Sequence, residues 1–153
     1  MKKFSVAFLC GIFFIVNLIG CLHKGNVIVP NNNYYTEYSG VYLTIESVET
    51  VGEDQKINVK WHNQTDFEIE HILLCYIEYK NGEEWVNTQT VDFNCAYLEF
   101  VIPPHSEKMQ KYSTWGFDLS KIGLYRLRTS CVVLNENRQT CGLWIEFEVD
   151  RCK

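Results

Sequence analysis

The sequence predicts an all-β protein, a β-sandwich of about seven to eight antiparallel strands spanning residues 40–150. Three observations lead there. Short alternations of apolar and polar residues follow one another from Val41 onward, clusters of turn residues separate them, and no segment sustains a helical period. A single turn at Asp118–Ile122 is the only helical candidate.

The elements follow in order. In "VYLTIESV", Val41, Leu43 and Ile45 alternate with Tyr42, Thr44 and Glu46, and in "KINVKW" Ile57, Val59 and Trp61 take the inward parity. "EIEHILLCYIEYK" is apolar on both faces from Ile72 to Ile77, as a central strand would be. Asn81-Gly82 marks a tight hairpin into "EEWVNT". Strands near 93–101 and 107–115 flank Pro103-Pro104, and "LYRLRTSCVVL" and "CGLWIEFEV" form a last hairpin around Asn135–Asn137. Residues 21–39 carry Pro30 and three consecutive asparagines without a sustained period. They read as a tether, with the alternative that Tyr34, Tyr35 and Tyr38 dock on the domain edge. Residues 151–153 read as a tail.

The N-terminus asks a separate question. Lys2 and Lys3 precede an apolar run, Phe4–Ile19, that is short of the roughly 20 residues a spanning helix needs. A basic start, a short apolar stretch and small residues before a break are the parts of a signal peptide. The ending "LIGC" resembles the lipobox of bacterial lipoproteins, which implies removal of residues 1–20 and lipidation of Cys21. Two or three acyl chains, at about 0.8 kcal/mol per buried methylene, make such an anchor effectively permanent. The expected location is the cell membrane or the outer membrane, with the domain outside the cytoplasm.

Cleavage would leave 133 residues, one domain's worth. Lys2 and Lys3 leave with the leader, so 12 basic residues face 19 acidic ones, a net of −7. That balance argues against nucleic acid, which is bound through basic patches. Beyond Cys21, the mature chain holds Cys75, Cys95, Cys131, Cys141 and Cys152, an odd number with no C-x-x-C spacing.

At "IGLYRLR" the pattern narrows. Gly123, Tyr125 and Leu127 look like the tyrosine corner of immunoglobulin-like sandwiches. Together with "GVYLTI" (40–45), the Asn63 turn, "IEYKNGEEW" (77–85) and "IPPHSEK" (102–108), the chain resembles a family of bacterial immunoglobulin-like domains over 111 residues. The resemblance implies an immunoglobulin-like β-sandwich in an extracytoplasmic setting, and no activity.

Motifs of catalysis are missing: there is no G-x-S-x-G, no phosphate-binding loop and no H-E-x-x-H. The densest polar cluster is "HNQTDFEIEH" (62–71). It can be a metal site of His62, Asp66, Glu68, Glu70 and His71, or a solvated turn shaped by Asn63 and Asp66, and the second reading is preferred. Asn63-Gln64-Thr65 matches a glycosylation sequon and is read as accidental. No catalytic residue, metal or cofactor is expected.

With the last hairpin centred on residue 136, Cys131 lies opposite Cys141, Leu127 opposite Ile145 and Thr129 opposite Leu143, so inward faces agree. A Cys131–Cys141 disulfide is expected, contributing about 2–3 kcal/mol through loop closure, with reduced core thiols as the alternative. Cys75–Cys95 is the favoured second pair. The same register sets Arg128 opposite Trp144 and Arg126 opposite Glu146. These are read first as a cation–π pair and an ion pair. The functional alternative adds Tyr76, Leu74 and Ile72 to make a binding face. The expected function is a lipid-anchored binding or adhesion module for a protein or glycan, not an enzyme. An immunity or inhibitor lipoprotein against a toxin or hydrolase is the alternative.

Overall fold

A computed structural model describes residues 26–51, 54–72, 74–92 and 99–151. Cys21, the leader, Cys95 and Cys152 lie outside the described residues, and with them the lipidation site and the Cys75–Cys95 pairing. Ten strands are described: β1 (Asn26–Thr36), β2 (Val41–Val51), β3 (Asp54–Asn63), β4 (Ile69–Ile72), β5 (Tyr76–Asn81), β6 (Glu84–Asn87), β7 (Glu99–Ile102), β8 (Ser106–Ser113), β9 (Gly123–Val133) and β10 (Gln139–Arg151). All pairings are antiparallel. One sheet runs β1-β10-β9-β4-β7, with β5 and β6 continuing from β9, and the other runs β2-β3-β8.

Inward parity builds the core as the alternation demands. Val41, Leu43 and Ile45 on β2, and Val59 and Trp61 on β3, face Leu127, Leu143, Ile145 and Phe147 of the larger sheet in one buried cluster. The last hairpin has the expected register along its whole length, from Gln139 opposite Val133 to Val149 opposite Gly123. At the other hairpin, Gly82 takes φ +63° as the first of two loop residues between Asn81 and Glu84, a conformation that favours glycine.

Three expectations need correction. Residues 26–36 are not a tether but the edge strand of the larger sheet, paired along β10 from Asn26–Arg151 to Thr36–Leu143. The alternation was masked by a register shift between Pro30 and Tyr34, where Asn32 adopts φ +60° and its Oδ1 accepts the Ile45 amide N–H at 2.9 Å. The tyrosines do dock: Tyr34 stacks on Tyr42, Tyr35 on Trp144, and Tyr38 packs against the core. The single long strand expected at 68–80 is two, β4 and β5, both paired to β9. Between the His71–Cys131 and Tyr76–Arg128 pairs, five residue steps on one side span three on the other. Two extra residues preserve parity, and Thr129 Oγ1 of β9 donates to the Leu74 carbonyl at 2.9 Å where the ladder is interrupted. Finally, 118–122 is not a helical turn; the Ser120 N–H donates to Asp118 Oδ1 at 2.9 Å.

A polar chain runs through the core from one sheet to the other. Trp61 Nε1 donates to the Tyr112 hydroxyl at 3.1 Å, the hydroxyl lies 2.8 Å from His71 Nε2, and His71 Nδ1 lies 3.0 Å from the Ser130 carbonyl. A carbonyl only accepts, so Nδ1 carries the proton and Tyr112 donates to Nε2. Each member is satisfied, and among the described residues no buried side-chain nitrogen or oxygen lacks a partner. Burial pushes the His71 pKa down to about 4, partly opposed by the bond to Ser130.

The folded pKa of His71 is thus depressed below its unfolded value of 6.5. Between pH 6.5 and 4 the unfolded chain binds more protons, so stability falls as pH falls through that window. The expected loss is about 3 kcal/mol by pH 4, from 1.36 kcal/mol per pKa unit. Urea titrations at pH 7 and pH 4.5 check it, and His71→Gln should flatten the dependence. Tyr112→Phe would orphan Trp61 Nε1 and His71 Nε2 together, and about 2–4 kcal/mol of destabilisation is expected at pH 7.

Candidate binding groove

The four residues expected as a face, Tyr76, Arg126, Arg128 and Trp144, do converge on the outer side of the larger sheet. Register explains it: Tyr76 on β5 lies beside Arg128 on β9, which lies beside Trp144 on β10, which lies beside Tyr35 on β1. The next outward row holds Ser130 and Gly142, directly opposed, with Glu37 following the end of β1. Small residues inside a row of large ones leave a depression. The result is a groove of about 510 Å³ with Ser130, Gly142 and Thr140 in its floor and Glu37, Leu74, Tyr76, Arg128 and Trp144 around it.

The pairing inside that face differs from expectation. Arg128 does not stack on Trp144, and Arg126 does not pair with Glu146. The Arg126 guanidinium sits between two indoles, 4.8 Å from the Trp144 ring and 4.3 Å from Trp85, while its Nε donates to Glu78. Glu78 is the cause. It lies directly opposite Arg126 on β5, and only 12% of its side chain is exposed, so its charge demands the nearer cation. Glu146 accepts instead from Asn33, at 3.3 Å. A ladder results, Tyr35–Trp144–Arg126–Trp85–Lys80, with Tyr35 and Trp144 stacked at 3.9 Å and Lys80 5.0 Å from Trp85.

That ladder uses up its own members. Arg128 is different: 52% of its side chain is exposed, its contact with Glu78 is a long 3.4 Å, and its guanidinium lies 5.8 Å from the Tyr76 ring. Glu37 is seated by two backbone bonds. Its carboxylate accepts the Gly142 N–H at 2.7 Å and its own N–H donates to the Gly142 carbonyl. A Cβ on residue 142 would stand 3.0 Å from that carboxylate, so glycine is what admits it. Glu37 was missed in the sequence because it sat in the supposed tether. The groove therefore offers one accessible cation and one accessible anion over a floor of hydroxyls and backbone.

Cys131 and Cys141 face each other as the register requires, but both are free thiols in this structure. Directly opposed residues hold their Cβ atoms about 4.5–5.5 Å apart, wider than the roughly 3.8 Å a disulfide prefers. Cys131 is pushed up by its interaction with Cys141 and by burial. The same interaction draws Cys141 down to about 6 against burial, helped by the Thr36 hydroxyl 3.6 Å away.

The 62–71 cluster disperses on folding. His62 reaches Glu107 and Thr44, each at 2.9 Å, Asp66 meets His105, and His71 is in the core. Among the described residues no three histidine, cysteine or acidic side chains converge as a metal ion would need. Asn63 is 1% exposed and its Nδ2 donates to the carbonyls of Phe67, Ile102 and Pro103, so the sequon's nitrogen is engaged in the fold. No protein-family model matches the chain, and no curated protein is similar to it.

The two arginines should separate cleanly in equilibrium unfolding. Arg126→Ala strands the shielded Glu78 carboxylate and opens the indole stack, and a loss of about 2–4 kcal/mol is expected. Arg128→Ala removes only an exposed contact and should cost less than about 1 kcal/mol.

Proposed function

We propose that the protein is a lipid-anchored, extracytoplasmic binding module of immunoglobulin-like architecture, engaging a protein or glycan partner through the groove at Arg128 and Glu37. The carrying observation is that these two charges remain accessible beside an aromatic wall whose other charges are already paired. An aromatic and arginine-rich patch is the composition enriched at interface centres. The immunoglobulin-like reading is supported by the Tyr125 hydroxyl, which donates to the Lys121 carbonyl at 2.8 Å as a tyrosine corner does. Two antiparallel sheets around one core also support it.

Under the anchored reading, the direction of β1 sets the groove apart from the membrane. It starts five residues after Cys21 and runs eleven residues to Thr36, next to Glu37. At about 3.3 Å per residue, it carries the groove roughly 30 Å from the end nearest the anchor. The mature charge of −7 favours, as a second reading, an immunity or inhibitor lipoprotein with a basic target.

Mass spectrometry of the mature protein should begin at acylated Cys21, and Cys21→Ala should leave the detergent phase. An unmodified chain retaining residues 1–20 would overturn the anchor. Partners captured by the detergent-solubilised protein from envelope extract should fall at least about tenfold with Arg128→Ala plus Glu37→Gln, a loss of about 1.4 kcal/mol or more. A double variant that stays folded and keeps every partner would rule the groove out.

A further inference from the structure

The end of the domain opposite the groove carries a second feature. Trp115 is 65% exposed, the most exposed large hydrophobic side chain among the described residues. It stands on a braced turn. The Trp115 N–H donates to Ser113 Oγ at 3.1 Å, Ser113 Oγ and Thr114 Oγ1 donate to the two Asp54 carboxylate oxygens at 2.6 and 2.9 Å, and Gly116 takes φ +83°. Trp115 borders a hollow of about 570 Å³ whose apolar lining includes Ile28, Val51 and Val149. Val51 is 51% exposed there.

Asn26 lines the same hollow, and its side chain donates to the carbonyls of Leu119 and Ser120. The described chain therefore begins at this end. Five Cα steps separate Asn26 from Cys21, and a chain reaches at most about 3.6 Å per residue, or roughly 18 Å in all. Resting on the reading of Cys21 as lipidated, we infer that this end docks on the bilayer that holds the anchor, with Trp115 and Val51 entering the headgroup region. Tryptophan suits that layer because its ring is apolar while its N–H keeps a polar partner. The charges nearby are mixed: Asp54, Asp118 and Asp150 accompany Lys121 and Arg151. The docking is thus apolar in origin and does not depend on anionic lipid. Its consequence is orientation, since a domain held at this end keeps its groove turned outward.

The test uses the full lipidated protein reconstituted into neutral phosphatidylcholine vesicles, with and without brominated acyl chains. Brominated chains should quench tryptophan emission. Trp115→Phe should abolish that quenching while Trp85→Phe leaves it, and neither high salt nor added anionic lipid should change it. Vesicles that carry the protein on flotation but quench nothing, or quench Trp115→Phe equally, overturn the docking and leave the anchor standing. Protein that does not float with vesicles and has an unmodified Cys21 overturns the anchor, and the docking with it.

Discussion

A continuous chain of three hydrogen bonds, from Trp61 through Tyr112 and His71 to Ser130, joins the two sheets through the core. Trp61 and Tyr112 belong to β3 and β8, while His71 and Ser130 belong to β4 and β9. Apolar packing is tolerant of small slips, because one methyl contact replaces another at little cost. A buried donor chain is not: a displaced member leaves a polar group without a partner, at about 1–3 kcal/mol each. The chain therefore fixes how the sheets sit on one another. Its direction is fixed too, since the Ser130 carbonyl sets the tautomer of His71 and so the orientation of every donor before it.

Strand β1 closes what the chain aligns. A two-sheet fold leaves open edges, and exposed edges invite pairing with other chains. Here the edge of the large sheet, β1, pairs with β10 and at its register shift turns Asn32 toward the edge of the small sheet, where it takes up the Ile45 amide. β2 has its own irregularity between Ile45 and Ser47. Two bulges meeting let one strand serve both sheets.

The inward parity of β2 and β3, the register of the last hairpin and the convergence of Tyr76, Arg126, Arg128 and Trp144 were legible in the sequence, because each follows from a period of two and a fixed turn. What was hidden lies where that period is interrupted. Asn32 breaks the alternation of β1 with a left-handed residue, so a strand looked like a tether. Residues between Ile72 and Tyr76 shift β5 by two, which preserves parity and leaves no mark on the pattern. His71 looked polar among polar neighbours, and only its partner Tyr112, 41 residues away, shows it to be core. The pairing of Arg126 was hidden for a related reason: a period assigns faces, but Glu78 and Glu146 share one face, and burial decides between them.

That last choice has a functional consequence. Had Arg126 paired with Glu146, Glu78 would have been left to Arg128, and the groove would have lost its accessible cation. Because Glu78 takes Arg126 at close range and Arg128 only at 3.4 Å, one carboxylate neutralises the shielded guanidinium and leaves the exposed one weakly held. A weakly held surface pair contributes little to folding. The same weakness is what lets Arg128 exchange Glu78 for an outside acceptor without first breaking a strong internal bond. The ladder beside it works in the opposite sense. Trp144 is covered by Tyr35 and Arg126, so it holds the wall rigid and has little open face left to stack on a partner. Rigidity and recognition are thus divided between neighbouring residues on one sheet face, with Trp144 and Arg126 holding the wall that positions Arg128.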